Sequence, residues 1–184
     1  MMGAKEYVEA GIWALGFFSK VCKFYKLSKE PRLVIDDIVS SRGYKTLGQF
    51  HPGEWEVTID KSFFMERSRD AIARVIVHEL THAWQWAQYD LPWDFVDSFV
   101  YTRLAREYYF DEGNPVEEPA RLAAKGYDVR KMHLYATSNL QAYYALCEDD
   151  DTAGFDMIAH DLREGVKHGR FLPEDILKEM YPDW

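Results

Sequence analysis

The chain has 184 residues, 16% of them aromatic, and a formal net charge of −9. That length is enough for one domain whose core needs no disulfides, and an acidic balance with scattered basic residues argues against a nucleic-acid backbone as the main partner. Only Cys22 and Cys147 are present, each in an apolar, aromatic context, which fits reduced core residues better than a secreted disulfide framework.

Lys5 to Tyr25 reads as a helix, with Val8, Ile12, Leu15, Phe18 and Cys22 recurring at helical spacing as a core-packing stripe. The amino terminus leads into this amphipathic pattern and not into a basic segment with a cleavage site, so no signal peptide is expected. The apolar stretch Gly11 to Phe18 is too short to span a bilayer. A cytoplasmic protein with no membrane partner is the expectation. Pro31 breaks the helical pattern, and Leu33-Val34-Ile35 reads as a short strand. A hairpin follows: Tyr44 to Phe50, a turn at His51-Pro52-Gly53, and Trp55 to Asp60 alternating apolar and polar at period two. Trp55, Val57 and Ile59 are expected to face the core, and His51 the surface.

After Ser68-Arg69-Asp70 a long helix runs from about Ala71 to Tyr89, where Pro92 interrupts. Further helices are expected from Trp93 to Tyr109, from Val116 to Gly126 after the turn Asp111-Glu112-Gly113-Asn114-Pro115, and through Lys131 to Gly154, Gly154 to Gly169 and Pro173 to Met180. The acidic run Glu148-Asp149-Asp150-Asp151 reads as a solvated loop. Nothing forces a second domain, so a single α+β domain over residues 1–184 is expected, with its core at about 28–140, an N-terminal helix and a C-terminal helical extension.

Within the long helix, His78-Glu79-Leu80-Thr81-His82 is the HExxH pattern. Residues i and i+4 lie about 40° apart on one helical face, so both imidazoles can point a ring nitrogen at one tetrahedral metal. Glu79 projects about 100° away from His78, where its carboxylate reaches a metal-held water without ligating the metal. Ile72, Ile76, Leu80, Ala83 and Ala87 form an apolar stripe opposite the histidines, yet the histidine side carries Val75 and Thr81 and no array of charges. A helix apolar on most sides needs a reason to bury two histidines, and a shared metal supplies one.

A catalytic zinc needs a third protein ligand. Gln85 and Gln88 stand where the metzincin pattern requires glycine and histidine, and Cys22 lies far upstream in a helix-like run, unlike the ligand cysteine of peptide deformylase. A glutamate on a later helix remains, and the segment Asn114-Pro115-Val116-Glu117-Glu118-Pro119-Ala120 holds two candidates. Here the chain resembles the gluzincins, HExxH metallopeptidases whose third ligand is a glutamate in an E-x-x-[AS] context on a downstream helix. Glu117 followed by Ala120 matches that spacing, and Glu118 is the alternative. The order of strand, HELTHAW helix and ligand helix, over roughly residues 44–126, is also similar to that of minigluzincins and SprT-like proteins. Two positions depart from these patterns. SprT-like proteins take a histidine as third ligand, and this chain has none between His82 and His133; thermolysin-type gluzincins carry an aspartate four residues after the ligand glutamate, where this chain has Arg121.

The resemblance implies a zincin-like, mostly helical α+β fold with a small antiparallel sheet packed on the HExxH helix. It implies a zinc metallopeptidase acting on a peptide or protein substrate, in which His78, His82 and Glu117 hold Zn2+ and Glu79 is the general base. Tyr127, His133 and Tyr135 are available as a second electrophile. An extended peptide is expected to pair antiparallel with one hairpin strand, and a proline at an edge position such as Thr58 to weaken that pairing. Two other classes fit parts of the pattern: a zinc-binding interaction or regulatory module, for which Glu79 has no use, and a metal-free helical adaptor.

Overall fold

Helix α1, Ala4–Tyr25, opens a computed structural model that describes residues 3–39, 45–88, 117–131 and 169–184. Glu6 reaches back to the Gly3 amide at 2.8 Å, satisfying one of the N–H groups that a helix start leaves without a carbonyl partner. At the other end Lys26 adopts φ 54°, and the amides of Lys26 and Leu27 return to the carbonyls of Lys23 and Cys22. The buried face is Ala10, Ala14, Phe17, Phe18, Val21, Cys22 and Tyr25, while Val8, Ile12 and Leu15 are each more than half exposed. The expected core stripe is therefore correct only in its second half. Helical spacing runs through both sets, and the aromatic set, with more area to remove from water, faces inward. Burial, reinforced by the charge of Glu30, pushes the Cys22 thiol up to about 12, which suits an inert core residue.

Strands β1 (Arg32–Asp36), β2 (Gly48–His51) and β3 (Glu56–Asp60) form a three-stranded sheet in the order β1-β3-β2. β2 and β3 make the expected antiparallel hairpin, but β1 runs parallel to β3, so the sheet is mixed and not antiparallel throughout. A hairpin is written into a local alternation with its turn; the partner of β1 is non-local and leaves no such mark. Val57 and Ile59 are fully buried as expected, whereas Trp55 lies half-buried in the turn with φ 52°, its indole donating to the Lys29 carbonyl at 3.0 Å. Thr58 sits on the central strand and is 7% exposed, so it is not an edge position. A proline there would break the ladder inside the sheet.

Asp60 ends β3 and starts α2, Lys61–Glu66, a helix absent from the sequence reading. Its carboxylate accepts from the Phe63 amide at 2.9 Å and the Ser62 hydroxyl at 2.6 Å, with Lys45 Nζ at 3.6 Å. Helix α3, Arg69–Gln88, follows and carries the HExxH residues. The last helix described, α5 (Glu174–Met180), returns to this part of the chain: Trp13 donates to Glu179 at 2.9 Å, and Arg74 on α3 donates to the Met180 carbonyl at 2.7 Å and lies over the Tyr181 ring.

The chain divides into two compact units, Met1–Trp84 with Leu172–Trp184, and Gln85–Phe171. In the second, α4 (Glu117–Ala124) buries Glu117, Pro119, Ala120, Leu122 and Ala123. Gly126 at φ 100° stops it, with the amides of Gly126 and Tyr127 bonded back to Ala123 and Leu122; a side chain at that φ would be strained. A short 3-10 turn, Val129–Lys131, follows. The expected helices between residues 93–109 and 131–169, the turn at 111–115, His133, Tyr135, Cys147 and the acidic run lie outside the described residues. No helix among the described residues is long and apolar enough to cross a membrane.

Asp60 generates a prediction about stability. Burial opposes its ionisation, but the bonds from Ser62 and the Phe63 amide outweigh burial and hold the carboxyl below its ordinary value. A carboxyl depressed in the folded state adds stability above its unfolded pKa of about 4 and loses it as pH falls through the lower folded value. Asp60→Ala should cost about 1 kcal/mol near neutral pH. The difference from wild type in urea denaturation should shrink as the pH drops below about 4.

Candidate metal centre

Helix α3 is held from three sides within the first unit. Ile72, Ile76, Leu80 and Ala83 are fully buried as the stripe predicts, while Ala87, near the helix end, is exposed. From α1, the Tyr25 hydroxyl meets Thr81 Oγ1 at 2.8 Å. Thr81 spends its own hydrogen on the Val77 carbonyl at 2.7 Å, so Tyr25 is the donor of this pair. The Tyr25 ring also stacks on Trp84 with centroids 5.8 Å apart. From α5 comes the Arg74 contact, and Arg74 in turn pairs with Asp70 at 3.0 Å, one turn away.

The third support is the hairpin. Gly48 on β2 lies so close to α3 that a Cβ there would stand 2.6 Å from Val75 Cγ1, 2.9 Å from Glu79 Cγ and 3.0 Å from Glu79 Oε1. Only glycine allows the strand this approach to the motif carboxylate. The sequence reading passed over Gly48. Its signal was a lone glycine inside a strand pattern, which marks a close backbone approach.

His78 is half-buried and His82 is 9% exposed. Their Nε2 atoms face one another at 3.2 Å, with the ring planes 84° apart. At that distance either one nitrogen bears a proton toward the other or both turn to a common cation. Glu79 is 7% exposed, a strongly buried carboxylate beside the pair. Glu117, the first residue of α4, is 3% exposed, whereas its neighbour Glu118 is less buried and takes Arg121 as a partner at 3.4 Å. His78, His82 and Glu117 form a group whose ligand atoms all lie within 4.8 Å of one another, a cluster compatible with a metal site. Two imidazoles and one carboxylate are the donor set of many catalytic zinc sites, so the residues fit such an ion. Tyr127 stacks on Phe171, with centroids 5.1 Å apart, and pairs with it in an isolated bridge.

Residues 16–92 match the SprT-like family model, less than half of the chain but including the C-terminal part of α1, the sheet and all of α3. This match agrees with the SprT-like side of the resemblance and supports a zincin-like domain. It ends before α4, so the candidate glutamates Glu117 and Glu118 lie beyond it. No curated protein and no solved structure matches the chain.

The close approach at Gly48 makes the second prediction. Gly48→Ala should destabilise the protein by about 1–3 kcal/mol, because the added methyl overlaps atoms of a packed helix. Val75→Ala in the same chain should recover part of the loss. Thermal or urea unfolding of the single and double variants measures both.

Proposed function

We propose that the protein is a zinc-dependent metallopeptidase, formed by a single domain over residues 1–184, in which His78, His82 and Glu117 hold the metal and Glu79 is the general base. The observation that carries this reading is the three-residue donor group with a fourth, buried carboxylate one position from a ligand on the same helix. A purely structural metal would be served by the donors alone. Zinc bound there would supply Lewis acidity, acidifying water and polarising a substrate carbonyl.

The protein's own groups supply the rest. Glu79, held against Gly48 in a water-poor position, accepts the proton of the attacking water and can pass it to the leaving amine. Tyr25 and Thr81 fix the turn of α3 on which His78 and His82 are mounted, so the imidazoles keep their mutual orientation. Strand β2 offers an edge to an extended peptide, since β3 takes only one of its sides and no other described strand takes the second. A cytoplasmic peptide or protein is the substrate class we assign.

Two measurements test this. Purified protein should carry about one zinc per chain, lost in His78→Ala and in Glu117→Ala but kept in Glu118→Ala. Retention by Glu117→Ala with loss by Glu118→Ala would move the ligand by one residue, and retention by both would remove the gluzincin-type site. Glu79→Gln should keep its zinc and lose about 100-fold or more in peptide hydrolysis. Turnover like that of wild type in this variant would refute the assigned role, and absence of turnover by zinc-loaded wild type would favour a zinc-binding interaction module.

A further inference from the structure

The hydrogen bonding of the hairpin decides which groups of β2 face outward. The Asp60 amide bonds to the Leu47 carbonyl at 3.0 Å, and this register continues as Gly48 opposite Ile59, Gln49 opposite Thr58 and Phe50 opposite Val57. Opposed residues in an antiparallel pair alternate between exchanging bonds and turning them away. Leu47, Gln49 and His51 therefore bond inward to β3, and Gly48 and Phe50 turn their N–H and C=O groups to the open edge. An extended peptide added there pairs with Gly48 and Phe50.

Side chains of directly opposed residues share a face, and residues i and i+2 of a strand share one too. Gly48 faces Glu79, so the peptide residue opposite Gly48 flanks the bond that Glu79 serves. Phe50 is two residues further along the same face. Because the peptide runs antiparallel, the residue opposite Phe50 lies two positions toward the peptide's N-terminus. There the protein presents an aromatic pair: Phe50 and Trp55 meet edge to face with centroids 5.4 Å apart, both half-buried. Trp55 is fixed by the bond from its indole to the Lys29 carbonyl and by a backbone in the left-handed region, which a bulky residue holds only under constraint.

We propose that Phe50 and Trp55 form a subsite for an aromatic or aliphatic side chain on the N-terminal side of the cleaved bond, two residues before the one that pairs with Gly48. The proposal rests on the peptidase reading and deepens it to a substrate class: extended peptides with an apolar residue upstream of the cut. No charged group of β2 lies on this face, since Gln49 and His51 belong to the other.

The experiment has two arms. Zinc-loaded wild type, Phe50→Ser and Phe50→Leu are each incubated with a library of denatured-proteome peptides, and the cut sites are read by mass spectrometry. Zinc-loaded Glu79→Gln, with and without Phe50→Ser, is titrated by fluorescence anisotropy with two labelled peptides that carry either phenylalanine or serine at the upstream position of the best site, or of a polyalanine host where no cut is found. Wild type should enrich apolar residues at the second or third position before the cut. Phe50→Ser should lower that preference by about tenfold, and Phe50→Leu should keep the aliphatic part of it. Glu79→Gln should bind the phenylalanine peptide about tenfold more tightly than the serine one, and lose that ratio on Phe50→Ser while zinc content and urea midpoint stay within the range of the parent. Cleavage without upstream apolar enrichment, or enrichment only after the cut, overturns the subsite and leaves the peptidase reading standing. Selective binding by Glu79→Gln with no cleavage by wild type supports the subsite and removes the peptidase reading. Equal binding of the two peptides, or binding of neither, overturns the proposal.

Discussion

Burying α3 while it carries two imidazoles and a carboxylate is the constraint on which the rest depends. Ile72, Ile76, Val77 and Leu80 draw the helix out of water, and His78, Glu79 and His82 are drawn in with them. Polar groups taken from water without partners cost several kcal/mol, so the surroundings must be built for them. The structure answers with atoms from distant parts of the chain: the Tyr25 hydroxyl on Thr81, the bare backbone of Gly48 against Glu79, and Arg74 tied to the Met180 carbonyl.

What could be read from the sequence follows from how far each signal reaches. The HExxH helix was legible because its chemistry and its apolar period coincide within one turn of helix, and α3 runs over nearly the expected residues. The hairpin was legible because the strands and their turn are contiguous. The parallel pairing of β1 with β3 was not, since Leu33-Val34-Ile35 reads the same whichever neighbour it joins. On α1 the period was right and the face was not. Val8, Ile12 and Leu15 are apolar and regularly spaced, and only packing decided that Phe17, Val21 and Tyr25 go inward instead. Helix α2 escaped because six residues carry little period, although Asp60 with Phe63 three residues on is a capping signal.

The candidate site divides in the same way. His78, Glu79 and His82 announce themselves by spacing. Glu117 required a resemblance, because two adjacent glutamates are indistinguishable by pattern; in the structure Glu117 is the more buried of the two, and Glu118 pairs with Arg121. Gly48 was missed because the residue contributes by having no side chain, and an absence of atoms is significant only beside the atoms that take its place.

The unit that carries α3 is discontinuous in sequence: residues 172–184 complete it, and Gln85–Phe171 intervene. On the ribosome, α1, the sheet and α3 emerge well before the helix that accepts Arg74 and Trp13. Until then the apolar positions that Ile176, Leu177 and Met180 will cover stay open, and the closing of so long a loop is paid before its contacts form. The motif helix thus reaches its final surroundings only once α5 has been made. Exposed apolar surface on a chain still being made is the kind of surface that favours non-native association.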